Sequence, residues 1–119
     1  MMIRAIRGAT VAENTAKSIK QNAGELLKRI FEANRLDTGQ IISILFTCTK
    51  DLNAAYPAAA AREMGIVNAS LMCAQEMDVA GSLTGCIRVQ VLAEMDCGQG
   101  EVRHVYLKEA AALRPDLSE

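Results

Sequence analysis

Met2 to Ala9 carries the first regular hydrophobic pattern of the chain. It reads as a strand with Ile3, Ala5, Arg7 and Ala9 on one face and Met2, Arg4, Ile6 and Gly8 on the other. Arg4 and Arg7 therefore point to opposite sides, and each needs a partner or water. The period then lengthens. Ala16, Ile19, Ala23, Leu26, Leu27, Ile30 and Phe31 recur at helical spacing, with Lys17, Lys20, Glu25, Lys28 and Glu32 on the other side. This predicts an amphipathic helix of roughly five turns, capped by Asn14 or Thr15 and ended at Leu36-Asp37-Thr38-Gly39. Gly24 weakens it by about 1 kcal/mol relative to alanine, which that length tolerates.

Gln40 to Thr47 is a nearly continuous apolar run, the pattern of a strand covered on both faces. Lys50-Asp51-Leu52-Asn53 reads as a turn. Pro57 then opens a short helix, Ala58 to Met64, and Gly65 closes it. Ile66 to Cys73, Cys86 to Ala93 and Val102 to Leu107 read as three further strands, and Lys108 to Leu113 as one more helical turn. The order β-α-β-α-β-β-β predicts an α+β domain, with one long amphipathic helix and a short helix packed on a mixed β-sheet. One long helix covers one sheet face only. Residues such as Ile3, Val89 and Val91 cannot all stay wet, so burial alone predicts an oligomer.

A length of 119 residues fits one domain, 1–119, and scaling allows about two-thirds of the surface to be buried. The 50% apolar and 23% charged composition excludes a disordered chain. Thirteen basic residues stand against 14 acidic ones, and the aromatic residues number four, Phe31, Phe46, Tyr56 and Tyr106. Neither a basic coat nor a stacking platform for nucleic acid is present. The longest stretches without a charge, Thr38–Thr49 and Met64–Gln75, are too short to span a membrane. The opening Met1-Met2-Ile3-Arg4 lacks a secretory pattern, which predicts a cytoplasmic protein.

Cysteines at 48, 73, 86 and 97 form no C-x-x-C pair, and His104 is the one histidine, so no metal site is expected. Cys48, Cys73 and Cys86 read as small buried hydrophobes, and Cys97 as part of an exposed turn, Asp96 to Gly100. Reduced thiols again fit the cytoplasm. No G-x-S-x-G or Walker A sequence occurs. His104 reads as a strand residue bonded to a neighbour rather than as a base. What stands out is arginine inside apolar strands: Arg7, Arg88 and Arg103. Arg88 shares its face with Cys86, Gln90 and Leu92. A guanidinium there is costly unless an acidic side chain (Glu76 or Asp78) or an anionic ligand satisfies it.

Six segments occur in order: Ile3-Arg4-Ala5-Ile6-Arg7-Gly8-Ala9-Thr10, Tyr56-Pro57-Ala58 with Arg62-Glu63, Cys73-Ala74-Gln75-Glu76-Met77-Asp78-Val79, Cys86-Ile87-Arg88-Val89, Arg103-His104-Val105-Tyr106-Leu107 and Leu113-Arg114-Pro115-Asp116-Leu117-Ser118. Together they resemble the monofunctional chorismate mutases of the Bacillus type, over Met1 to Ser118. The resemblance implies a homotrimer in which the sheets pack as a pseudo-α/β barrel with active sites at the subunit interfaces. It implies conversion of chorismate to prephenate in phenylalanine and tyrosine biosynthesis. That Claisen rearrangement is pericyclic and needs no nucleophile, base, metal or cofactor.

The resemblance also implies roles. Arg88 donates to the ether oxygen of chorismate and to a carboxylate. Arg7 pairs with the side-chain carboxylate. Glu76 accepts the ring hydroxyl and orients Arg88, with Cys73 beside it. Tyr106 hydrogen-bonds a carboxylate, and Tyr56 and Arg62 of the neighbouring subunit form the far wall. Ala58 and Met72 are further substrate-binding positions. Leu113 and Arg114 lie where the tail closes over the site, and the chain from about residue 114 is expected to be flexible.

Three positions depart from the family pattern. Tyr56 stands where Phe is common, Ala59 where Lys is often found, and Met72 where Thr is common. The missing cation at Ala59 predicts a higher Michaelis constant with turnover little changed. Two other readings compete: a non-catalytic trimer binding a small dicarboxylate, and an imine or enamine deaminase of related trimeric architecture. The joint presence of Arg88 and Glu76 argues against the first. The lack of a water-activating motif argues against the second.

Overall fold

A computed structural model describes residues 1–116. Five strands form one mixed sheet in the order β3-β2-β4-β1-β5: β1 (Met2–Val11), β2 (Ile41–Cys48), β3 (Ser70–Gln75), β4 (Cys86–Met95) and β5 (Val105–Tyr106). β4 runs antiparallel to both β1 and β2, while β3 lies parallel to β2 and β5 parallel to β1. Helices α1 (Ala16–Asn34) and α2 (Ala58–Glu63) connect the strands. The α+β architecture expected from the pattern is the one found.

Thr15 caps α1 by accepting a hydrogen bond from the Ser18 N–H. Arg35, in the left-handed region at φ 53°, ends the helix slightly before the expected stop. Ile19, Ala23, Leu26, Leu27 and Ile30 bury the apolar stripe of α1. The principal core joins Leu26, Leu27 and Ile30 of this stripe to Ile6, Ile44, Phe46, Val89 and Val91 of the sheet, while Ile19 and Ala23 pack with Leu52, Ala60 and Ile87. Gly8 lets α1 approach β1 closely: a Cβ there would stand 2.7 Å from Ile30 Cδ1 and 3.1 Å from the Val105 carbonyl oxygen.

Four expectations need correction. The segment after α2 is a helix exit and not yet a strand. Gly65 takes φ +86°, the Ile66 N–H returns to the Ala61 carbonyl at 3.1 Å, and Ile66 is buried against the core. β3 therefore starts at Ser70 rather than Ile66. The last strand shrinks to Val105–Tyr106 because side chains take up the preceding backbone. The Asn34 amide bonds both the N–H and the carbonyl of Arg103, each at 2.9 Å. Val89 and Val91 lie under α1, so the uncovered face carries Ile3, Leu45 and Met72 instead, all exposed in the single chain. Cys97 is half-buried against the core rather than in an exposed turn, and its carbonyl accepts from Arg4 Nε at 2.6 Å.

Candidate active site

The β2–β4–β1 ladders decide which polar side chains share the uncovered face. Thr47 stands opposite Arg88, and Gln90 stands opposite both Leu45 and Arg7. Arg7, Thr47, Arg88 and Gln90 thus come from three adjacent strands onto one side of the sheet. With Glu76 they line a cavity of about 230 Å³.

Glu76 follows the last residue of β3, and its N–H donates to the Cys48 carbonyl at 2.8 Å, prolonging the β2–β3 pairing. Its Oε1 accepts from Thr47 Oγ1 at 2.7 Å, and its Oε2 accepts from the Met77 N–H at 3.2 Å. Arg88 Nη1 stands 3.6 Å from Oε1. At that length the contact is an ion pair and not a hydrogen bond, so Glu76 faces Arg88 without occupying its donors. Of the two acidic candidates, Glu76 is the partner. Asp78 instead pairs with Lys50 Nζ at 3.0 Å, out in solvent. Two guanidiniums and one carboxylate around a small cavity suit an anion that also carries a hydrogen-bond donor.

Arg7 ties this cavity to the C-terminal segment. Its backbone N–H donates to His104 Nδ1 at 2.9 Å. Burial, then the charges of Arg7 and Arg114, hold His104 below the usual imidazole range. The imidazole is therefore neutral and accepting at Nδ1, a residue bonded to a neighbour as expected. Arg114 forks onto Asp116 through Nε at 3.2 Å and Nη2 at 2.9 Å. That hydrogen bonding is the main cause of the lowered Asp116 pKa, with Arg7 contributing through its charge. Tyr106 is buried with Ala9, Cys86 and Ala110, and Leu113 packs against the same cluster.

The remaining expected positions lie elsewhere in the single chain. Tyr56, 73% exposed, and Cys73 line a second cavity of about 540 Å³. Ala58 is buried at the start of α2 and Arg62 is exposed at its end. Met72 is opposite Leu45 on the uncovered face. Leu117 and Ser118 of the final motif lie outside the described residues. Cys48 and Cys86 have pKa values raised to about 11, chiefly by burial, so these thiols stay protonated and inert. Among the described residues no three His, Cys, Asp or Glu side chains gather as metal ligands. No helix there is long and apolar enough to cross a membrane.

A profile of the family chorismate mutase type I matches residues 3–117. The chain belongs to the type I chorismate mutase family. It is similar to chorismate mutase AroH of Bacillus subtilis, at 45% identity over 99% of this chain and 94% of that protein. It is likewise similar to chorismate mutase AroH of Thermus thermophilus, at 48% identity over 98% and 97%. A solved chorismate mutase from Clostridium thermocellum superposes with a TM-score of 0.89 and 50% identity, covering 91% of this chain and 97% of that one. Within this type I chorismate mutase fold, sequence reasoning missed two polar groups that line the cavity, Thr47 and Gln90. The signal lies in the strand register, which places Thr47 across from Arg88.

Proposed function

We propose that the protein is an isomerase converting chorismate to prephenate within phenylalanine and tyrosine biosynthesis. The observation that carries the reading is the single cavity joining Arg7, Glu76 and Arg88. Family membership supports it and sets aside the deaminase.

The chemistry asks little of the protein beyond geometry and charge. The substrate must fold so that its enolpyruvyl arm lies over the ring, which converts a rare conformer into the bound one. As the C–O bond breaks, negative charge grows on the ether oxygen. Arg88 supplies fixed donors to that oxygen in a site that has lost water, where such a contact acts more strongly in the transition state than in the ground state. Arg7 holds a substrate carboxylate, and Glu76 accepts from the ring hydroxyl while steadying Arg88. Tyr106, Leu113 and Arg114 complete the near side, while Cys73, paired with Phe46 and packed on the core, lies away from the Glu76 cavity rather than beside it.

The working unit in this reading is a homotrimer, with Tyr56 and Arg62 of a neighbouring subunit closing the cavity and Ala58 and Met72 as further substrate-binding positions. Two observations support it. The exposed Ile3, Leu45 and Met72 lie on the sheet face that α1 does not cover. The shallow cavity at Arg88 also lacks in one chain the aromatic wall that a second copy would bring. The domain spans 1–119, and the four free thiols fit a reducing cytoplasm.

The test is the ultraviolet decay of chorismate with wild-type protein beside an Arg88→Ala variant. Saturable decay to prephenate that collapses in the folded variant is the expected result. Decay no faster than buffer with a folded wild-type protein overturns the reading.

A further inference from the structure

The carboxylate of Glu76 is held by a group that none of the readings above assigns. Thr47 Oγ1 donates to Oε1 at 2.7 Å, a short charge-assisted bond. The same oxygen faces Arg88 Nη1 at 3.6 Å. Thr47 and Arg88 are paired across the β2–β4 ladder, so the hydroxyl rises from the strand directly beside the base of the arginine. The other carboxylate oxygen is turned back to the Met77 N–H, and the Glu76 backbone is tied to Cys48, the residue after Thr47. A carboxylate on a flexible two-methylene stem is thus fixed at three points. The only side-chain donor among these three comes from Thr47.

We infer that Thr47 is a positioning residue for the rearrangement: its hydroxyl fixes the rotamer of Glu76, and through Glu76 the direction of the Arg88 guanidinium. The inference rests on the functional reading given above. Thr47 itself does not need to touch substrate. Without its hydroxyl, Oε1 loses its strongest neutral donor and closes on Arg88, which turns the guanidinium from the ether oxygen toward Glu76. A serine keeps the donor on the same Cβ, so serine should preserve the effect where valine, of the same shape, should not.

The experiment is a set of variants read by chorismate turnover, by calorimetric affinity for prephenate and by thermal unfolding. Thr47→Val should lower kcat/KM about tenfold, the scale of one hydrogen bond to a charged group, while Thr47→Ser stays within about twofold. In a Glu76→Ala background, Thr47→Val should change turnover and prephenate affinity by less than about twofold, because the acceptor is gone. The prephenate measurement keeps this arm readable if turnover of the Glu76 variant is too slow to follow. Should Thr47→Val fail to fold, Thr47→Ala carries the same comparison. An unchanged kcat/KM in Thr47→Val, or the same loss with and without Glu76, overturns the inference. Those outcomes leave Arg88→Ala inactive. Wild-type turnover in Arg88→Ala overturns the functional reading, and this inference with it.

Discussion

Arg88 Nη1 stands 3.6 Å from Glu76 Oε1, with the arginine side chain 45% exposed and the carboxylate side chain 24% exposed. The pair is therefore not a buried ion pair that the fold depends on. Ion pairs this exposed contribute about 0–1 kcal/mol, so the fold does not require the arginine. Arg88→Ala should lower kcat by about 100- to 1,000-fold, the range for one preorganised donor, with a melting temperature near wild type. Arg88→Lys should recover only part of the loss, because an ammonium cannot hold the fork geometry. Parallel kinetics and thermal unfolding check both statements. A large fall in melting temperature would return Arg88 to a structural role.

Ala59 lies in α2, where its N–H donates to the Tyr56 carbonyl at 3.1 Å. It sits in the same short segment as the proposed aromatic wall. A lysine there would extend its charge into solvent while laying its stem on the helix. Ala59→Lys should lower the Michaelis constant for chorismate about two- to fivefold at low salt, with kcat little changed, and the gain should shrink as ionic strength rises. Steady-state kinetics at two salt concentrations test this.

Gly8→Ala should destabilise the protein by about 1–3 kcal/mol, because the added methyl overpacks the α1–β1 contact. Ile30 Cδ1 can rotate away from the 2.7 Å clash, but the Val105 carbonyl at 3.1 Å belongs to a paired strand and cannot. Urea unfolding of wild type and variant gives the difference. An unchanged midpoint would mean that α1 can shift freely on the sheet.

His104 gives a pH dependence whose sign follows from its surroundings. Its folded pKa lies below the ordinary 6.5, so the unfolded chain binds the proton more readily. The stabilisation is fully present above about pH 6.5 and is lost as pH falls through the folded pKa. Protonation at Nδ1 would also break the bond from the Arg7 N–H. Asp116, lowered from 3.8, acts only in a more acidic range. The melting temperature of wild type should therefore fall relative to His104→Asn between pH 7 and about pH 5, and run parallel to it above pH 7. Parallel curves throughout would deny the coupling.

Much of the site can be read from residue types, because an arginine in an apolar strand is costly without a partner. That cost singles out Arg7, Arg88 and Arg103; Arg7 and Arg88 line the cavity, whereas Arg103 is exposed and precedes β5. The choice between Glu76 and Asp78 is different. It depends on where the chain leaves β3, and a one-residue slip of register would move either carboxylate to the other side. Thr47 was invisible for the same reason, since its partner follows only from the β2–β4 alignment. The long helix was legible because its apolar stripe persists over five turns and Thr15 supplies the cap. β3 and β5 are shorter than the apolar pattern implies because Ile66 and Val102 are apolar for reasons of core filling. The backbone beside them is claimed by a helix exit and by the Asn34 side chain.

The strand order has a consequence for biosynthesis. Of the five strands of the sheet β1 leaves the ribosome before the others, yet its neighbours are β4 and β5, the last two of the five to be made. Val11 pairs with Cys86 and Met2 with Met95. At translation rates of 5–20 residues per second, β1 waits roughly 4 to 15 s with both of its edges unpaired. The half of the cavity that holds Arg7 cannot exist before then. A stalled nascent chain ending before β4 should expose an apolar, unpaired edge along β1, the kind of surface that molecular chaperones hold.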